Sequence, residues 1–332
     1  MENCNGMIGS LFRIVCVWLK DVCYREPQLI YKYYRPFSLK HKALSLHRNV
    51  LMVDDKVQHG GMFDCLKGII TVYAISKAQH KDFKVYFVSP FHLEDYLCPN
   101  EYDWRLAGDS VEYRFPLARP VFAYGEFAYP RRLWKNRNGE THFYYGYNSL
   151  DKVNEHFETN FDWSQLYKEL FRPQPHLQEL INHYKDEIGR DYIVTHFRFL
   201  NLLGDKMEYA AMNPTLPTEG QEQLMERCKN AIVDLMRKHP GRRVMLATDS
   251  NRFVDYAKQC ISGIYTIPGK IKHVGTARTA SDAEVTKMFL DYYLIGGAEK
   301  VYSLWTAGMW KSAFPQYAAM IGGRPFERIE IH

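Results

Sequence analysis

Short apolar runs punctuate the second half of the chain, with helical patterns filling the gaps between them. Tyr192-Ile193-Val194-Thr195 predicts a strand buried on both faces, and it delivers His196-Phe197-Arg198. From Gly220 to Lys238 the spacing turns helical, with Leu224, Ala231, Ile232 and Leu235 on one face, until Pro240-Gly241 stops it. Val244-Met245-Leu246-Ala247 predicts a second strand ending in Thr248-Asp249-Ser250. Asn251 to Gln259 predicts a short helix, and Ile264 to Ile267 a third strand. Ser281, with Glu284 three residues on, predicts a capped helix through Met288, Leu290, Tyr292 and Leu294. Lys300 to Leu304 predicts a fourth strand, and Trp305-Thr306-Ala307-Gly308 turns into a final helix from about Met309. This alternation predicts a parallel sheet with right-handed crossovers. Arg198, Asp249 and Thr306 then fall at strand ends, the edge where such a sheet binds a nucleotide.

The first half repeats the pattern less regularly. Val50 to Val53 predicts a strand. His59-Gly60-Gly61-Met62-Phe63-Asp64 then enters a helix carrying Leu66, Ile69, Ile70, Tyr73 and Ala74, and Lys84 to Val88 predicts the next strand. Gly60 and Gly61 let backbone approach a ligand and open helix amides to an anion; turns use such pairs as well. Asn138-Gly139, inside an aromatic-rich stretch, predicts a hairpin. Glu26-Pro27 and Arg35-Pro36 break a helical pattern, and Pro173-Gln174-Pro175 marks a boundary. The expected organisation is an amphipathic helix over 1–25, a first domain over 26–175 and a second over 176–332.

Composition narrows the class. At 332 residues with 46% hydrophobic content, two packed domains are expected. A net charge of +5 does not point to nucleic acid. Basic residues gather at Lys32, Arg35, Lys40 and Lys42 and again over Arg131 to Arg137, as either a solvated face or a bed for an anionic surface. Seven cysteines without metal spacing predict thiols in a reducing, cytoplasmic compartment. The segment Met7 to Tyr24 is too short and too charged to span a bilayer, and no secretory signal is expected. On a helix it sets Ser10, Arg13, Lys20 and Asp21 opposite Leu11, Phe12, Val15, Trp18, Leu19 and Val22. Two readings stand: a helix at a membrane surface, or one packed on its own domain. The chain has no Walker loop, Gly-x-Ser-x-Gly elbow, His-Glu-x-x-His helix or Asp-x-Asp pair. Any diphosphate must then be met by basic and amide donors, without a metal cofactor.

His196-Phe197-Arg198, Ala247-Thr248-Asp249-Ser250, Ser281-Asp282 with Asp291, and Thr306-Ala307-Gly308 resemble the ordered motifs of the GDP-fucose-dependent fucosyltransferase superfamily. Gly60-Gly61-Met62-Phe63-Asp64 with Lys67-Gly68 resembles its first glycine loop. The resemblance covers His59 to Lys77 and Asp191 to Tyr317, and it implies an α/β, GT-B-type fold with two Rossmann-like domains facing a cleft. It further implies inverting transfer of fucose from GDP-fucose to a glycan hydroxyl, with no required metal. Two positions depart from the common pattern. Asn201 stands where many members have Asp, as in the nodulation branch, and Thr306-Ala307 replaces a Ser-Ser pair.

These residues suggest roles. Arg198 would stabilise the departing β-phosphate, with Thr306, Ala307, Gly308 and the amides opening the last helix as neutral donors. Asp249 and Ser250 would meet the nucleoside, and His196 and Asn201 would border it. Asp205 is the favoured general base, with Glu208 and Asp64 as alternatives. Tyr102, Trp104, Tyr124, Trp134 and Tyr144 offer faces for acceptor sugars or fill the core. Another nucleotide sugar, or a non-catalytic binding module of the same fold, fits the same residues. The expected acceptor is an envelope glycan or its lipid-linked precursor.

Overall fold

The computed structural model describes residues 15–36, 47–106, 111–123, 130–205, 214–269 and 280–332. The chain divides into two compact units, one ending at Arg172 and the other beginning at Pro173.

The first unit opens with α1, helical over 15–20, widened to π geometry at Asp21–Arg25, and helical again over Glu26–Tyr33. Glu26-Pro27 therefore does not break the helix. A proline ring clashes with the carbonyl four residues back, and the wider turn just before Pro27 makes room for it. Nor does Asp21 belong to a solvated stripe. It is buried and paired with Arg25 at 2.7 Å, and the Arg25 guanidinium lies 4.7 Å from the centre of the Phe122 ring.

After α1 come β1 (Arg48–Val53), α2 (Met62–Ala78), β2 (Asp82–Phe87), β3 (Ala118–Phe122), β4 (Glu140–Tyr144), α3 (Leu150–Phe157) and α4 (Trp163–Leu170). The strands form a parallel sheet in the order β2-β1-β4-β3. Every residue of β1 and β4 is buried, as strands covered on both faces require. Because β3 and β4 run parallel, Asn138-Gly139 closes no hairpin. It ends a crossover that contains the helical turn Pro130–Leu133. Gly139 takes φ +83°, and a Cβ there would stand 2.3 Å from the Leu117 carbonyl oxygen. Tyr34, just past α1, reaches the sheet through a buried chain: its hydroxyl meets His142 Nδ1 at 2.6 Å, and His142 Nε2 meets Glu140 Oε1 at 2.6 Å. Arg48 pairs with the other Glu140 oxygen.

The second unit contains α5 (Pro175–Ile188), β5 (Tyr192–Phe197), α6 (Thr218–Lys238), β6 (Arg243–Thr248), α7 (Asn251–Cys260), β7 (Ile264–Tyr265), α8 (Asp282–Gly297), β8 (Lys300–Trp305), α9 (Phe314–Gly322) and β9 (Phe326–Glu330). Its parallel sheet has the order β7-β6-β5-β8-β9. The capping box of α8 is present, with both reciprocal bonds between Ser281 and Glu284. α9, however, begins at Phe314 rather than near Met309. Gly308 turns the chain at φ +87°, Met309 drops into the core, and Pro315 occupies the first turn, where a missing N–H costs nothing.

Candidate functional site

The register of the second sheet assembles the site. Thr248 pairs with Phe197 and Ser303 with His196, so Arg198, Asp249 and Thr306 leave neighbouring strands at one carboxyl edge. The Arg198 guanidinium lies 3.3 Å from Asp249 Oδ2. Asp249 does more than pair. Its Oδ1 accepts the Phe199 amide at 2.8 Å and its Oδ2 accepts the Leu200 amide at 2.9 Å. Leu200 takes φ +54°, a left-handed conformation that strains a leucine. The carboxylate thus holds the turn that carries Arg198. The structure thus gives Asp249 a structural task beside the nucleoside contact expected of it: each oxygen accepts one main-chain amide. Asn201 is buried in that turn, and its carbonyl accepts Gly204 N at 3.0 Å.

His196 is buried between Ala247 and Ser303 of the flanking strands. Burial, and then the Arg198 charge, push its pKa down to about 3, so the ring is neutral. Its Nδ1 has no hydrogen-bond partner among the described residues.

The last motif splits by exposure. Thr306 is buried, Ala307 and Gly308 are exposed, and Trp310 donates its N–H to the Arg198 carbonyl at 3.0 Å. Helix amides do not follow Thr306, because α9 starts eight residues later. A different donor does: Arg227 of α6 reaches Thr306 Oγ1 at 3.2 Å. The sequence reading missed Arg227, which sits inside an unremarkable amphipathic helix.

Asp205 lies at the start of α7. Its Oδ2 accepts both Ser250 Oγ and the Arg252 amide at 2.9 Å, and Ser250 caps the helix through Phe253 N. Acidic oxygens are favourable at a helix N-terminus. No hydrogen bond engages Asp205 Oδ1 among the described residues. Asp205 also lines a cavity of about 480 Å³ with Thr248, Asn251, Lys258, Thr266 and Lys287. The Thr266 hydroxyl has no hydrogen-bond partner among the described residues, and Lys287 pairs with Asp291 at 2.9 Å through both carboxylate oxygens. The sequence reading did not pick out this buried pair; its i, i+4 spacing on one helix is the signal that could have found it.

Gly60 and Gly61 belong to the first unit. Gly61 caps α2, its carbonyl accepting Asp64 N at 2.9 Å and Cys65 N at 3.1 Å. Asp64 pairs with Lys67 at 2.8 Å. Trp104 and Tyr144 are core residues rather than sugar platforms: Trp104 Nε1 bonds the Leu170 carbonyl, and the Tyr144 hydroxyl bonds Asp54. Trp134 stacks on His156 with centroids 4.0 Å apart. Ser10, Leu11, Phe12, Arg13, Lys40, Lys42, Tyr124 and Glu208 lie outside the described residues.

Two parallel-sheet α/β units, the second presenting an arginine loop at its carboxyl edge, define a GT-B-type fold. The solved structures it resembles include NodZ alpha-1,6-fucosyltransferase. With the crystal soaked with GDP-fucose the TM-score is 0.52 at 14% identity, covering 83% of this chain and 92% of that one. With the crystal grown with GDP it is 0.53 at 14%, covering 82% and 92%. The selenomethionine form from Bradyrhizobium gives 0.51 at 14%, covering 82% and 91%. No protein-family model matches the chain, and no curated protein sequence does.

Proposed function

We propose that the chain transfers fucose from GDP-fucose, with inversion and without a metal, to a hydroxyl of a glycan acceptor. One observation carries this reading. A strained turn, held by Asp249, fixes the Arg198 guanidinium at the edge of a sheet whose fold resembles a protein crystallised with GDP and soaked with GDP-fucose.

In this reading Arg198 forks onto the β-phosphate as the bond to the sugar breaks. Thr306 adds its hydroxyl, and Arg227 steadies that hydroxyl from behind. The Ala307-Gly308 backbone and the Thr266 cavity supply the remaining donor contacts of this unit. His196 packs beside the arginine as a neutral ring, Asn201 closes the turn, and Asp249 positions it. Asp205 takes the acceptor proton through Oδ1, with Ser250 and the Arg252 amide orienting its other oxygen. The enzyme works in the cytoplasm on an envelope glycan or its lipid-linked precursor.

The test is thermal stabilisation by GDP against UDP, ADP and dTDP, followed by turnover of GDP-fucose. Selective stabilisation by GDP with turnover is the expected result. Stabilisation by another nucleotide alone moves the donor. GDP binding without turnover makes the chain a binding module.

A further inference from the structure

We infer that α1 is a docking face for an anionic lipid bilayer, an interaction independent of the donor chemistry. The helix has four longitudinal rows. Two face the unit, with Asp21 and Leu29 buried in one, and Glu26 accepting both Phe122 N and Arg132 in the other. The other two are open. Val15, Leu19, Cys23, Pro27 and Tyr31 form an apolar row, every member exposed. Cys16, Lys20, Tyr24, Gln28 and Lys32 form the row beside it, also exposed throughout. Leu19 is 44% exposed, Tyr24 57% and Tyr31 92%, which is unusual for large apolar and aromatic side chains. The π turn keeps these rows in line past Pro27.

Charge selects the occupant. The two carboxylates of this helix, Asp21 and Glu26, face inward and are countered by Arg25 and Arg132. The charges left outward are Lys20 and Lys32. Arg132 is paired with Glu26, and half-buried Arg137 donates to the Arg132 and Lys135 carbonyls, so Lys20 and Lys32 carry the outward charge. A second copy of the chain is a poor fit, because a two-fold contact would oppose lysines with no outward carboxylate on the helix to meet them. A lipid surface fits each part. The apolar row enters the acyl boundary, the Tyr24 and Tyr31 rings sit among headgroups, and the two lysines meet lipid phosphates. Among the described residues no helix is long and apolar enough to cross a membrane, so the contact is lateral.

The experiment is co-sedimentation of the full chain with phosphatidylcholine vesicles and with mixed phosphatidylcholine–phosphatidylglycerol vesicles. Binding to the mixed vesicles alone, weakening with salt, is expected. Lys20→Glu with Lys32→Glu lowers the partition coefficient by on the order of tenfold or more. Leu19→Asp with Tyr31→Asp does the same, and both pairs keep the wild-type unfolding midpoint because all four side chains are exposed. No binding to the mixed vesicles overturns the proposal, as does binding that both variants retain. Binding lost on removing residues 1–14 but kept by both variants also overturns it. A dimer in sedimentation equilibrium that the Leu19→Asp, Tyr31→Asp variant dissolves assigns the face to a second copy instead. Nucleotide stabilisation is read separately, so failure here and failure of the donor reading are distinct results.

Discussion

Arg198→Ala is expected to lower turnover by roughly two to three orders of magnitude, the scale for losing a principal stabiliser of developing charge. Folding should survive, because Asp249 keeps the Phe199 and Leu200 amides as partners. Arg198→Lys should restore activity only in part, since one ammonium cannot reproduce the planar fork. Single-turnover kinetics on both variants decide the matter. His196 makes a second residue-scale prediction. Between about 3 and the ordinary 6.5, the unfolded chain binds a proton at this ring that the folded chain excludes. Its contribution to stability is therefore lost as pH falls through that window, by at most about 1.4 kcal/mol per pH unit, and is constant above it. Denaturant titrations at pH 7 and pH 5 should show the loss shrinking in His196→Gln. The placement of Arg198, Asp249 and Thr306 was legible from strand ends alone. The work of Asp249 was not, because no local pattern announces that Leu200 will adopt a positive φ and need two acceptors beside it.

At the scale of elements, the apolar runs of the second unit read well because its inner strands are buried on both faces. What escaped was decided by tertiary contact. Asn138-Gly139 has the composition of a hairpin turn, yet the parallel pairing of β3 with β4 makes it the end of a crossover. Pro27 looks like a helix end, yet a π turn absorbs it. α8 and α9 illustrate a contact no propensity reveals: a Cβ on Gly322 would stand 1.8 Å from the Gly296 carbonyl oxygen. Gly322→Ala should therefore destabilise the protein by about 1–3 kcal/mol, the cost of overpacking. Gly220→Ala, in α6 with no neighbour of its Cβ nearer than 3.6 Å, should stabilise by up to about 1 kcal/mol. Thermal unfolding of the two variants gives the comparison.

For the molecule as a whole, turnover should be unchanged in EDTA if, as proposed, fixed cations such as Arg198 meet the diphosphate. A metal requirement restored by Mn²⁺ or Mg²⁺ would be the contrary result. The two units should also respond to different ligands. Hydrogen exchange with GDP should slow around Arg198, Asp249 and Thr306, whereas anionic vesicles should slow α1.

The bond from the Trp310 main-chain N–H to the Arg198 carbonyl ties the backbone of a tryptophan to the arginine turn. Trp310 is half exposed while its neighbour Met309 is anchored in the core, so its indole samples solvent from a fixed mount. If anion binding at Arg198 is felt along this segment, tryptophan emission should shift in wavelength or intensity on adding GDP. Trp310→Phe should silence most of the shift and leave nucleotide affinity nearly intact. Rapid mixing could then time nucleotide arrival at the arginine turn, without a labelled sugar.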